Sequence, residues 1–223
     1  MSLSEVFNID CMEALREAPD NHWSLAICDP PYGIGVGIFE PVGGRGELNR
    51  DDKQWDTDSP SQEYFTELRR ASVEQIIWGA NYFNCFSNGH GAIVWDKIQP
   101  LPDSSQCEIA SYSRLTKVGI YRQMWTNYVN TKETRHPTEK PVALYRWLLT
   151  NYAKPGDTIL DTHLGSGSSR IAAYDLGFDF TGYELDTDYF DAQERRFADH
   201  IAQPKLFEPL PTIETQEAFS FNP

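Results

Sequence analysis

The stretch from Thr158 to Glu184 constrains the fold more than any other part of the chain. An apolar strand at 158–161 runs into Gly165-Ser166-Gly167, a helix follows over 168–176, and a second apolar strand at 180–184 ends on Glu184. Glycines let the backbone turn tightly, and the helix that opens there presents free N–H groups. A strand, a turn, a helix and a strand in this order close as a parallel pair with the helix on one face. The same alternation recurs upstream. Period-2 and continuous apolar runs predict strands at 6–9, 24–28, 75–78 and 92–95 and near 119–125. Helical spacing marks 12–17, 62–71, 142–152 and 187–201, with Pro141 suited to a first helical turn. The expectation is an α/β fold: a mixed, mostly parallel sheet with helices on both faces.

Residues 33–60 are rich in Gly, Asp and Arg and read as one long loop; the segment beyond 203 has no periodicity and reads as extended or disordered. A single domain over 1–203 with a tail at 204–223 is therefore expected. No apolar run approaches the roughly 20 residues of a membrane span, and the opening Met-Ser-Leu-Ser-Glu-Val-Phe lacks a signal peptide's basic and apolar regions. A cytoplasmic chain with no membrane contact is expected. Cys11, Cys28, Cys85 and Cys107 form no CxxC pair and the five histidines are scattered, so neither a disulfide scaffold nor a metal site is expected.

The net charge of −14 argues against a polyanionic partner until its distribution is followed. From Lys97 to Arg146 eight basic residues (Lys97, Arg114, Lys117, Arg122, Lys132, Arg135, Lys140, Arg146) meet only four acids (Asp103, Glu108, Glu133, Glu139). A basic strip on an acidic body binds a polyanion locally; the duller reading is a solvated face of uneven charge.

Glu184 follows Gly165 by nineteen residues and closes the next strand, the place for an acid that accepts both ribose hydroxyls of a nucleoside cofactor. A dinucleotide site wants a third glycine where this chain has Arg170, and no GK[ST] of a P-loop follows the glycines. S-adenosylmethionine, with an adenosine, a cationic sulfur and no pyrophosphate, suits Asp161, Glu184 and the glycines better. The competing view is a tight strand-to-helix turn in which Asp161 only caps the helix.

A second constellation is Asp29-Pro30-Pro31-Tyr32, directly after the strand at 24–28. Two prolines end the strand abruptly, and a turn at the carboxyl end of a parallel strand projects into the crevice where ligands bind. A carboxylate acceptor, the Pro30 carbonyl and a flat tyrosine face together suit an exocyclic amino group on an aromatic base. An isolated Asp-Pro turn facing solvent is the alternative.

Taken together, these residues resemble the amino-group DNA methyltransferases. Asp29-Pro30-Pro31-Tyr32 is similar to their catalytic motif, and Gly165-Ser166-Gly167 to their cofactor motif. His136-Pro137-Thr138-Glu139-Lys140-Pro141 is similar to a third. Asn8-Ile9-Asp10-Cys11 and Trp78-Gly79-Ala80-Asn81-Tyr82-Phe83 also resemble family segments. The catalytic motif precedes the cofactor motif, as in the permuted β group, and Asp in the first position resembles the N6-adenine enzymes, whereas cytosine-amino enzymes more often carry Ser. The resemblance implies a Rossmann-like S-adenosylmethionine-dependent fold that methylates adenine in double-stranded DNA after flipping the base out of the stack. N4-cytosine transfer, an RNA or protein amino methyltransferase and a non-catalytic cofactor-binding module stay open beside it, and restriction protection, a phage genome and gene regulation are all compatible roles.

By this resemblance Asp29, Pro30, Pro31 and Tyr32 are the catalytic set. Asp10 and Cys11 would lie by the cofactor adenine and Glu184 at its ribose. His136, Lys140, Asp161 and Ser168 would surround the methionine end, with Gly165, Ser166 and Gly167 forming the turn and Asp29 also near the methionine amino group. Thr162-His163 stands where the family usually has Pro-Phe, a departure beside the methyl donor. Target recognition would fall in about 97–135, with Arg114, Lys117, Arg122, Lys132 and Arg135 on phosphates. So short a segment suits a short recognition sequence, loose specificity, or help from a second subunit in a homodimer. The tail's Gln203-Pro204-Lys205-Leu206-Phe207 resembles peptides that dock on bacterial sliding clamps; packing of Leu206 and Phe207 on the same domain is the simpler expectation.

Overall fold

The computed structural model describes residues 2–34, 56, 58–83, 91–98, 105–114, 116–124 and 139–203. Most of the 33–60 loop and the tail from 204 lie outside the described residues, and so do Lys132, Arg135, His136, Cys85 and the clamp-like peptide after Gln203.

Eight strands form one sheet among the described residues: β1 (Ser4–Phe7), β2 (Trp23–Cys28), β3 (Ser72–Trp78), β4 (Gly91–Asp96), β5 (Cys107–Tyr112), β6 (Val118–Arg122), β7 (Thr158–Asp161) and β8 (Asp179–Tyr183). Their spatial order is β1-β8-β7-β2-β3-β5-β4-β6. Every neighbouring pair is parallel except the two that β5 makes with β3 and β4. The helices are α1 (Cys11–Glu17), α2 (Gln62–Ala71), α3 (Ala80–Phe83), α4 (Val142–Tyr152), α5 (Ser168–Leu176) and α6 (Thr187–Ala202). Strand β5, absent from the sequence reading, is the one antiparallel member; it enters between β3 and β4, which are consecutive strands in the chain.

Side chains alternate across a strand, and the core divides accordingly. Leu25 and Ile27 of β2, Ile76 and Trp78 of β3 and Ile159 of β7 pack with Leu144, Leu148 and Leu149 of α4 and Ala172 and Ala173 of α5. Their neighbours Ala26, Cys28, Ile77 and Leu160 face the other way, onto Leu15 of α1 and Tyr64, Phe65 and Leu68 of α2. Burial on both faces explains why these strands read as near-continuous apolar runs.

Local chemistry starts and stops the helices. Asp10 accepts a hydrogen bond from Met12 N at α1 (2.9 Å), and Asp186 accepts from the N–H groups of Asp188 and Tyr189 at α6. Arg170, at the position where a dinucleotide fold wants glycine, joins α5 to α6. Its guanidinium lies 3.8 Å from the Phe197 ring centroid and donates to Gln193 Oε1 (2.9 Å) and Glu194 Oε1 (2.7 Å).

The seam between β2 and β7 places the site. Leu25 and Ala26 pair with Ile159 and Leu160. From β2 the chain continues to β3 on one side, and from β7 to β8 on the other. Such a reversal of strand order opens a crevice beyond the carboxyl ends. Asp29 follows β2 there and Thr162–Gly167 follow β7, so the two sequence constellations meet. Among the described residues no helix is long and apolar enough to cross a membrane.

Candidate active site

On the β2 side, Asp29 is largely buried and both of its carboxylate oxygens are engaged. Tyr32 Oη donates to Oδ1 (2.7 Å), and Lys140 Nζ donates to Oδ2. The Lys140 side chain is 2% exposed and also meets Glu108 Oε2 at 3.0 Å. Lys97 Nζ holds the other Glu108 oxygen, Oε1, at 2.8 Å. Four charges of alternating sign therefore run through the floor of the crevice: Asp29, Lys140, Glu108, Lys97. Burial and the nearby Glu108 charge push the Asp29 carboxyl up, partly opposed by Lys140. Two carboxylates keep Lys140 protonated, and two lysines hold Glu108 below its ordinary range.

Tyr32 is set by its surroundings. Its backbone N–H donates to Asp56 Oδ1 (2.6 Å), as does that of Gly33 (3.0 Å). Its ring stacks on Tyr82 with centroids 5.0 Å apart and meets Phe83 edge-on. Gly79 makes this possible: its φ is +73°, and a Cβ there would lie 2.3 Å from Tyr32 Cε1. Only glycine fits.

On the β7 side, Asp161 is buried. His163 N donates to its Oδ1 (3.0 Å) and Ser169 Oγ to its Oδ2 (2.5 Å). Burial lifts its pKa to about 7. Gly165 (φ 51°) and Gly167 (φ 74°) form the left-handed turn, and Gly165 N donates to Glu184 Oε2 (2.8 Å). The other Glu184 oxygen accepts from Asp186 N (2.9 Å). Ser166 and Ser168 approach through their hydroxyls (3.2 Å), and Arg196 donates to the Ser166 carbonyl and to Ser168 Oγ. The departure at Thr162-His163 has a local account: Thr162 Oγ1 lies 2.7 Å from Tyr64 Oη and 2.9 Å from His163 Nδ1. Burial drives the His163 pKa down to about 4, so its imidazole is neutral near pH 7.

A family model described as DNA methylase, for N6 and N4 enzymes, matches residues 80–195. The chain belongs to this DNA methylase family. It is 24% identical to the type II methyltransferase M.HinfI of Haemophilus influenzae over 93% of this chain and 72% of that protein. It is 23% identical to M2.MboI of Moraxella bovis over 90% of each. Among solved structures, the M1.HpyAVI–SAM complex is similar at TM-score 0.58 and 18% identity, covering 86% of this chain and 98% of that one. PvuII DNA methyltransferase, described as cytosine-N4-specific, is similar at TM-score 0.61 and 13% identity, covering 88% and 87%. The sheet and its helices are thus the Rossmann-like fold of the DNA methyltransferases.

Within this DNA methylase, Asp29, Pro30, Pro31, Tyr32, Lys140, Asp161, the 165–168 turn and Glu184 gather at one end of the sheet. Lys140 is found against Asp29 and Glu108, at the catalytic-motif side of the crevice rather than on the glycine turn. Asp10 caps α1, and the Cys11 side chain is part of the core below it, its thiol pushed up by burial. The basic strip is divided. Arg122 ends β6 at the Asp29 end of the sheet, 3.3 Å from Asp96. Arg114 pairs with Glu74 near the start of β3 (2.7 Å), and Lys117 lies beside the start of β4. Arg114 follows Glu108 by six residues along β5 and the turn after it, roughly 20 Å at the rise of an extended strand. Glu108, Lys97 and Asp56 are the site groups that sequence reasoning missed, and Gly79 was singled out only as part of a family-like segment, without its role under the Tyr32 ring. Glu108 is one of four acids within the basic strip, and nothing in the sequence set it apart from the other three.

Gly79→Ala is expected to displace the Tyr32 ring and lower DNA methylation about 100-fold, the scale of a misplacement of ~1 Å at a reacting centre. Methyl transfer and cofactor affinity measured side by side check this; wild-type transfer would contradict it.

Proposed function

We propose that the chain transfers a methyl group from S-adenosylmethionine to the exocyclic N6 amino group of adenine in double-stranded DNA. The observation that carries this reading is the meeting of two sites on adjacent strands. Asp29 with Pro30 and Tyr32 follows β2, and Asp161 ends β7 with the glycine turn after it.

The cofactor side fits the molecule. Glu184 N donates to the Phe7 carbonyl and Asn8 Nδ2 donates to the Glu184 carbonyl, so the exposed Ile9 and Leu185 follow in sequence on either segment and offer apolar surface for a flat adenine near an acid for its ribose. Asp161 supplies a buried carboxylate near a cationic methionine end, and M1.HpyAVI is described with SAM bound. When bound, S-adenosylmethionine supplies a methyl group on a cationic sulfur. Asp10, Asp161, the 165–168 turn and Glu184 would hold it, with His136 as a further member by resemblance.

The residues of this chain then do the rest. The adenine amino nitrogen is a weak nucleophile because its lone pair is delocalised into the ring. Asp29 and the Pro30 carbonyl each accept one N–H, which favours a pyramidal nitrogen with its lone pair turned to the donor. This is positioning plus stabilisation of developing positive charge. Methyl transfer would form the N–C bond as the donor's S–C bond breaks, its electron pair staying on the departing thioether, and Asp29 would take up the amino proton or pass it to solvent. The target base is flipped from the duplex and stacked beside Tyr32, whose partner Tyr82 is half-exposed. The motif order, catalytic before cofactor, supports the permuted arrangement over 1–203.

Adenine is favoured over cytosine by Asp29 at the first motif position, as in the N6 enzymes that the sequence resembles. PvuII methyltransferase, with a similar fold, is cytosine-N4-specific, and N4-cytosine transfer is the second reading. Labelled cofactor offered with duplex DNA, RNA and protein in parallel tests the substrate class. Incorporation into duplex DNA is expected, and incorporation only into RNA or protein would contradict the proposal.

Of the phosphate candidates Arg114, Lys117 and Arg122 among the described residues, Arg122 stands at the crevice end, and its side chain is 69% exposed. Arg122→Ala is expected to flatten the salt dependence of DNA affinity by about one unit of slope, whereas Arg114→Ala leaves it unchanged. Titrations of a duplex at several salt concentrations check this, and equal slopes for Arg122→Ala and wild type would contradict it.

A further inference from the structure

We propose that Glu108 is a positioning residue that takes over Lys140 and the Tyr32 hydroxyl when a target amino group reaches Asp29. The inference rests on the methyl-transfer reading above and adds a residue to it. In the protein as it stands, Asp29 has a donor on each oxygen: Tyr32 Oη on Oδ1 and Lys140 Nζ on Oδ2. An amino group that donates to Asp29 competes with one of them. A donor released inside a buried site with no acceptor forfeits its hydrogen bond, and a buried ammonium forfeits more than a hydroxyl.

One atom stands ready for both. Glu108 Oε2 lies 3.0 Å from Lys140 Nζ and 3.5 Å from Tyr32 Oη. Its partner oxygen is pinned by Lys97 at 2.8 Å, and Lys97 in turn lies over the Trp95 ring, 5.4 Å from its centroid. Glu108 is thus held at a fixed place, within reach of the donors that Asp29 must give up. The fold explains how it gets there. Strand β5 runs antiparallel to its neighbours, so its second residue, not its last, stands at the carboxyl end of the sheet. The exchange moves no charge out of the site, since Lys140 passes from two carboxylates toward one while Asp29 gains the substrate's N–H. The groups facing Asp29 are Lys140 from the segment before α4, Tyr145 from α4, Glu108 from β5, Asp161 from β7 and Tyr32 from its own turn.

The test compares wild type, Glu108→Gln and Glu108→Asp as full chains. It measures transfer at saturating DNA and S-adenosylmethionine across pH 5.5–9, cofactor affinity by calorimetry, and thermal unfolding. Glu108→Gln is expected to lower the maximal rate about ten-fold or more, the cost of a poorly satisfied buried donor, with cofactor affinity within about two-fold. The acid limb of its rate profile should move to lower pH, because Asp29 loses the negative neighbour that pushes its carboxyl up. Glu108→Asp keeps the charge on a shorter arm, so it should also be slow but with the acid limb unmoved. A merely structural role would lower stability without moving the profile. Wild-type rates and profiles in both variants would overturn the proposal for Glu108 and leave the methyltransferase reading standing. Wild-type protein that methylates no DNA would overturn that reading instead.

Discussion

Asp29→Asn is expected to lower methyl transfer to DNA by about 100-fold or more, the usual cost of losing one preorganised group aimed at developing charge, and to leave cofactor affinity within a few-fold. An amide offers one acceptor oxygen in place of two, and its NH₂ would face either the Lys140 ammonium or the Tyr32 hydroxyl, both donors to Asp29 here. Lys140 retains Glu108 as a partner, so the fold should survive. Single-turnover transfer with labelled cofactor measures the rate and calorimetry the affinity. Undiminished transfer would remove Asp29 from the chemistry.

The second large effect is on stability. Lys140→Met takes the ammonium from between two buried carboxylates. Removing one partner of a buried ion pair costs about 3–5 kcal/mol, and the lower end applies because Lys97 still holds Glu108. The pH dependence has a definite sign. With Lys140 gone, burial and mutual repulsion raise the folded-state pKa of Asp29 further above its unfolded value. A carboxyl so raised binds its proton more tightly folded than unfolded, and the deficit shrinks as pH falls. Denaturant unfolding of the variant should therefore show a larger loss at pH 8 than at pH 6. Equal stability of variant and wild type at pH 8 would contradict the charge chain described above.

Most of the sheet was legible because its strands carry strong apolar runs bounded by turn chemistry. The helices at 62–71, 142–152 and 168–176 and the strand at 158–161 have the bounds that the spacing predicted. Strand β5 was not legible: Cys107-Glu108-Ile109-Ala110-Ser111-Tyr112 mixes an acid and small residues without a clean alternation. Its place is set by partners on both sides, Ile76–Trp78 on β3 and all of β4, a tertiary effect that propensity does not carry. The same miss hid Glu108, since an acid on an unrecognised antiparallel strand cannot be assigned to an end of the sheet. Lys140 was recognised as a functional lysine, but its partners became visible only when the segment before α4 was laid across β2 and β5. Arg114 and Lys117 show the converse. Close to Arg122 in a basic strip, they are separated from it by the length of β6, and a run of like charges in sequence says little about a shared end of the sheet once strands reverse direction.

Whether Asp29 holds an adenine amino group for methylation is read out by nucleoside mass spectrometry. Unmethylated genomic DNA is incubated with S-adenosylmethionine and either the wild-type protein or Asp29→Asn, then digested to nucleosides. N6-methyladenine is expected with wild type and near absence of it with the variant; N4-methylcytosine instead, or equal N6-methyladenine from both proteins, would contradict this role for Asp29.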